Sequence, residues 1–122
     1  MAIKILLTEE ISAAGIAALE KEAEIVYAPD PSVEAAVALA GDVDGIISRN
    51  TTVDERILAA APKLKAVASH GVGYDHVDVK AATSHGVYVV NTPGANAQSV
   101  AELVLAFMLA LGRKMVYADH AF

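Results

Sequence analysis

The stretch "KAVASHGVGYDHVDVKAATS", Lys65 to Ser84, decides the architecture. Lys65 to Ser69 is a short β-prone run, glycines at 71 and 73 break it, and Asp78 to Ser84 resumes as an alanine-rich segment suited to a helix. A strand running through a glycine loop into a helix is the building unit of a parallel sheet. A dinucleotide fingerprint occupies the same kind of unit, but it wants a third glycine three residues after the second, and His76 stands there. It also wants an acid about twenty residues further on, and "NTPGANAQ" from Asn91 has none. Nucleotide binding at this loop is therefore not expected. The glycines instead serve a tight turn with positive φ, or a nest of backbone N–H groups for an anion.

Outward from this stretch the pattern repeats. "IKILL" from Ile3, "EIVYA" from Glu24, "DGIIS" from Asp44 and "GVYVVN" from Gly86 are β-rich and continuously apolar, as in strands covered on both faces. Helical spacing fills Glu10 to Glu22, Ser32 to Ala40, Thr52 to Ala61 and Asp78 to Ser84. Ser32 after Pro31 reads as an N-cap, and Thr52 with Glu55 as a capping box. The prediction is an α/β fold: a doubly wound, five-stranded parallel sheet of flavodoxin-like order with flanking helices. A last helix, "SVAELVLAFMLALGRKM" from Ser99 to Met115, is apolar almost all round and is expected to begin at a second capping box, Ser99 with Glu102. Leaving about 400 Å² of its apolar surface wet would forgo at most about 10 kcal/mol, so a docking partner is expected.

With 122 residues, 55% hydrophobic, the chain suits one domain with a real core. A formal charge of −6 without a basic cluster argues against nucleic acid and against an anionic membrane surface. The absence of cysteine removes disulfides and thiolate metal sites, and a cytoplasmic location is the expectation. No signal peptide or membrane span is expected either. The tail "MVYADHAF" reads as the start of a connection.

Three loops meet beyond the carboxyl ends of the strands, where such sheets bind ligands: "SRNTTVD", "SHGVGYDHVD" and "NTPGANAQS". Arg49 offers a forked cation for a carboxylate, the Gly-Val-Gly stretch offers N–H groups, and His70 beside it is a possible contact. Asn91, Thr92 and Pro93 read as a strand end and turn. His70, His76, His85 and His120 have no metal-ligand spacing, so no metal is expected. There is no Gly-x-Ser-x-Gly elbow; "TEEISAAG" opens with acids that repel phosphate, and Ser48 and Arg49 stand where a phosphorylated receiver domain would carry an aspartate.

From Ser48 to Met115, "SRNTTVDERILAAAPKLKAVASHGVGYDHVDVKAATSHGVYVVNTPGANAQSVAELVLAFMLALGRKM" resembles the N-terminal substrate domain of the NAD-dependent D-isomer-specific 2-hydroxyacid dehydrogenases, nearest to their phosphoglycerate-oxidising branch. The first strands are similar more loosely. The resemblance implies that Arg49 helps hold the substrate's acidic end and that Ser69, His70, Gly71, Val72 and Gly73 form the loop gripping its carboxylate. It also implies that Asn96 and Val100 approach the nicotinamide. Ser69 stands where the phosphoglycerate branch often has an arginine, which leaves the particular hydroxy acid open.

The resemblance further divides the chain into a substrate-binding domain over 1–97 and an interdomain-type helix with the start of a linker over 98–122. In that family the nucleotide loop and the catalytic Arg, Glu and His lie in a following domain. The chain alone is thus expected to hold no cofactor, NAD belonging to the full-length family, to be inactive, and to bind a small 2-hydroxy or 2-keto acid weakly. A homodimer through the helix Ser99 to Met115, by helix exchange or otherwise, is expected to cover its apolar surface. The alternatives are a noncatalytic self-associating module or weak anion binder, and an enzyme completed by a separate nucleotide-domain chain.

Overall fold

The computed structural model describes residues 3–121. Five strands, β1 (Ile3–Leu7), β2 (Ala23–Tyr27), β3 (Gly45–Ser48), β4 (Ala66–Ser69) and β5 (Tyr88–Val90), form one parallel sheet in the order β2-β1-β3-β4-β5. Helices α1 (Ala13–Leu19), α2 (Val33–Leu39), α3 (Glu55–Ala60) and α4 (Val79–Ser84) connect them in turn. This is the flavodoxin-like order that the alternation of elements predicts. The step from β1 to β2 runs one way along the sheet and the later steps run the other. Right-handed crossovers therefore place α1 on one face and α2, α3 and α4 on the opposite face.

The strand register shows what each face buries. Leu6, Ile46, Val67 and Val89 lie side by side on the α2–α4 face. There they form the core with Ala36, Val53, Ile57, Leu58 and Ala82. Each fully buried large side chain in this layer contributes roughly 1.5–3 kcal/mol. The alternate row, Gly45, Ala66 and Tyr88, lies on the α1 face, and Tyr88 is 77% exposed.

Local chemistry corrects several boundaries. Ser32 caps α2 as expected, its Oγ accepting from Ala35 N at 3.1 Å. Thr52 does not cap α3; Asp54 does, accepting from Arg56 N. Val53 is held extended in a parallel bridge to Val77, with its N–H donating to His76 O at 2.8 Å, so the helix starts only beyond it. Helix α1 is shorter than Glu10 to Glu22 because Ser12, accepting from Gly15 N at 3.2 Å, sets its start. Helix α4 stops where Gly86 takes φ +71° and its N–H bonds back to Thr83 O.

The expected single helix from Ser99 to Met115 is two helices, α5 (Ala97–Gly112) and α6 (Met115–Ala121). Gly112 is a weak helix former, and Lys114 at φ +52° turns the chain between them. Nor does Ser99 cap α5: Asn96 occupies that position, without a side-chain bond, after the turn closed by Ala97 N and Gly94 O. Among the described residues no helix is long and apolar enough to cross a membrane.

At the amino ends of the strands, Asp42 takes Lys4 at 3.0 Å and also Lys63, while Asp44 accepts from Lys4 N and Lys65 Nζ, each at 3.1 Å. The hydrogen bonds and charges of Lys63 and Lys4 hold the Asp42 carboxyl down at about 2. The opposite, carboxyl ends carry the loops with chemistry in them.

Candidate functional site

Two of these loops, those after β3 and β4, form a cleft, and the loop after β5 braces the second of them. Arg49, Asn50, Ser69, His70, Gly71, Gly73, Asp75 and His76 line one cleft of 390 Å³. Arg49, Ser69, His70, Gly71 and Gly73, expected at the site, are thus brought together. Asn96 and Val100 are not among them: Asn96 precedes α5, and Val100 is half-exposed on it.

The bottom of the cleft is fixed by polar side chains turned inward. Ser48 Oγ, fully buried, donates to Thr51 O at 2.7 Å, and Thr51 Oγ1 donates to Pro31 O at 3.2 Å. Ser69 Oγ donates to Gly73 O at 2.6 Å, so its hydroxyl shapes the glycine loop from below. Asn91 Nδ2 donates to Val72 O at 2.7 Å, and Thr92 N to Gly71 O at 2.9 Å. The strand-end and turn reading of Asn91 and Thr92 agrees with this scaffold.

The loop's own donors divide into two sets. His70 N is spent on Ser48 O at 2.7 Å, and Gly71 N on Ser69 O at 2.9 Å. Val72 N and Gly73 N carry no hydrogen bond among the described residues. The tight-turn explanation of the glycines is corrected, because positive φ occurs at Gly86 and Gly94 but at neither Gly71 nor Gly73. A Cβ placed on Gly71 would meet nothing within 4 Å. Neither backbone strain nor internal packing requires that glycine.

This loop does not form a dinucleotide cradle. After Gly73 the chain runs on through the Val53–Val77 bridge, and α4 begins only at Val79, so no helix N-terminus meets the glycines. Among the described residues no cluster of three or more metal-ligating side chains exists.

Four residues of the site escape sequence reasoning. Asn50 and Asp75 line the cleft without any motif to mark them. His76 presents a buried Nε2 with no partner, where a missing bond typically costs about 1–3 kcal/mol. Glu9, at the end of β1, is taken in the sequence only for an acid that repels phosphate. In the fold its Oε2 accepts from Arg49 N at 2.7 Å and Thr8 Oγ1 at 2.9 Å, and its Oε1 accepts from Asn50 N at 2.8 Å and Thr51 N at 3.1 Å. Partial burial pushes its carboxyl up, but these four donors together outweigh that and hold it below the ordinary glutamate range.

An open parallel sheet in flavodoxin-like order, with an arginine and a glycine loop on a cleft at its carboxyl edge, defines a doubly wound α/β domain. A family model, the D-isomer specific 2-hydroxyacid dehydrogenase catalytic domain, matches residues 5–118, and the chain belongs to that family. It is 43% identical over 116 residues to D-3-phosphoglycerate dehydrogenase of Mycobacterium bovis, covering 94% of this chain and 22% of that one. To glyoxylate reductase of Thermococcus litoralis it is 39% identical over 120 residues, covering 95% and 36%. Its fold is similar to NAD+-bound 3-phosphoglycerate dehydrogenase of Entamoeba histolytica, with TM-score 0.74, 27% identity, and coverage of 90% and 39%. The chain spans no more than 39% of the length of any of these three.

Proposed function

We propose that these 122 residues are the substrate-gripping part of an NAD-dependent D-2-hydroxyacid dehydrogenase working in the cytoplasm. The substrate's carboxylate lies against Val72 N and Gly73 N, with Arg49 facing its acidic end. The observation that carries this reading is the bare glycine backbone: two unspent N–H groups beside a glycine that the fold itself does not need. Among the described residues Arg49 is the one arginine or lysine lining the cleft, and Asp75 is an acid on the same wall, which favours a small 2-hydroxy or 2-keto acid with one carboxylate. The further charges of 3-phosphoglycerate need cations from outside these residues.

A nicotinamide cofactor would accept the hydride of a hydroxy acid, or give one to a keto acid, in this chemistry, and these residues build no dinucleotide cradle for it. Asn96 and Val100 are its proposed contacts once it is brought by a nucleotide-binding domain, so residues 1–97 bind substrate while 98–122 lead toward that domain. The chain alone is inactive in this reading, because half a site holds no productive geometry.

Amide-resolved titration with glyoxylate and 3-phosphoglycerate tests it. Saturable shifts at Val72 and Gly73 are expected with glyoxylate. Silence with every hydroxy and keto acid favours a noncatalytic module instead, and turnover of NADH by the lone chain overturns the division of labour.

A homodimer through the region Ser99 to Met115 is part of the proposal. Leu103, Val104, Leu105, Phe107, Met108 and Leu109 are all exposed on α5. Helix α5 packs on α6 and has no comparable contact with the sheet or with α1–α4. Light scattering tests the pairing: a monomer at all concentrations refutes it.

A further inference from the structure

We propose that Glu9 is the positioning residue of the acid site: by clamping the backbone of residues 49–51 it sets the direction from which Arg49 meets the substrate. The inference rests on the reading of Arg49 given above. Arg49 itself is exposed, and its backbone sits just past β3, where no ladder partner fixes it. One carboxylate collects three successive N–H groups of this loop together with the Thr8 hydroxyl. Both oxygens are used twice. A carboxylate can do this because it is acceptor-only with about four lone-pair sites; a carboxamide of the same shape sets an N–H against at least one of the three backbone N–H groups, since only the Thr8 hydroxyl can turn to accept. Thr8 and Thr51, at the two ends of the clamp, are buried, while the bonds to Arg49 N and Asn50 N lie nearer the surface. Glu10 and Asp30 line the same crevice as Glu9, and neither accepts a hydrogen bond from residues 49–51 among the described residues.

Glu9 touches no substrate in this arrangement; it acts through Arg49. The test is therefore a cycle on the 122-residue chain, read by amide-resolved titration with glyoxylate. Glu9→Gln is expected to weaken glyoxylate about tenfold, the scale of one lost charge-assisted hydrogen bond. Glu9→Asp, which keeps the charge on a shorter arm, is expected to recover part of that loss. In an Arg49→Ala background Glu9→Gln is expected to have no further effect, which a merely structural role would not produce. Equal glyoxylate affinity of Glu9→Gln and the parent, or full additivity with Arg49→Ala, overturns the proposal.

A measurement without any variant guards against a misfolded Glu9→Gln. On acidification of the parent chain the amides of Arg49, Asn50 and Thr51 should shift together with one midpoint below 4.5. Independent or absent shifts refute the clamp. If the three amides move together but glyoxylate binds nowhere, the clamp stands and the reading of the acid site fails, so the two failures are separable.

Discussion

Leu58 on α3 and Leu105 on α5 are the same residue in the same kind of element, yet one is 2% exposed and the other 61%. The difference lies in neighbours. Helix α3 sits between α2 and α4 over a sheet face that offers Ile46 and Val67, so its apolar side closes a core. Helix α5 follows β5, the edge strand of the sheet, and among the described elements has no comparable neighbour besides α6. Apolar sequence thus has two fates in this chain: that of α2–α4 holds the domain together, and that of α5 stays exposed, available for the association proposed above.

The sharpest way to break this comparison is to truncate both leucines. Leu58→Ala should cost about 2–5 kcal/mol of unfolding free energy, as large-to-small changes in packed cores do. Leu105→Ala should stay within about 0.5 kcal/mol in dilute chain. Urea unfolding at low concentration measures both, and comparable losses would abolish the distinction. Next in size is association: Leu109→Glu places a charge on the exposed stripe and should raise the dissociation constant of the proposed self-association by at least about tenfold, near 1.4 kcal/mol, with no change in the unfolding midpoint of dilute chain. Sedimentation over a concentration series reads it.

Caps give a smaller contrast. Ser32→Ala removes the bond to Ala35 N and should cost about 1 kcal/mol, whereas Ser99→Ala, inside α5, should be neutral or slightly stabilising. The smallest effect is expected at the charged end of the sheet. Asp42 is depressed from 3.8 to about 2 in the folded chain, so its contribution is present above pH 3.8 and lost as the pH falls through about 2. The unfolding midpoints of Asp42→Asn and the parent should converge over that window, and at high salt as well, because the pair is exposed and screened.

How much of this is legible in the sequence depends on the range of the interactions involved. The strands are legible because short, mainly apolar runs without strict alternation, such as Ile3–Leu7 and Ala66–Ser69, are what a parallel sheet requires. The ends of the helices are less so: alanine permits a helix without saying where it begins. The start of α3 is decided by a bridge between Val53 and Val77, which lie far apart in the chain. At the site, Arg49 and the glycine loop are legible as chemical types near strand ends. Glu9 is not, because its partners lie 40 to 42 residues away and are backbone N–H groups, which leave no mark in a sequence.

The bonds from Thr92 N to Gly71 O and from Asn91 Nδ2 to Val72 O have a mechanical meaning. From Thr92 the chain reaches α5 through consecutive closed turns, Ala95 N to Thr92 O and Ala97 N to Gly94 O, with no slack residue between them. The glycine loop and the root of α5 are in effect one stiff hinge plate. In the proposed arrangement, a load that swings α5 against a docked partner passes, within a few covalent bonds, to the loop bearing Val72 N and Gly73 N.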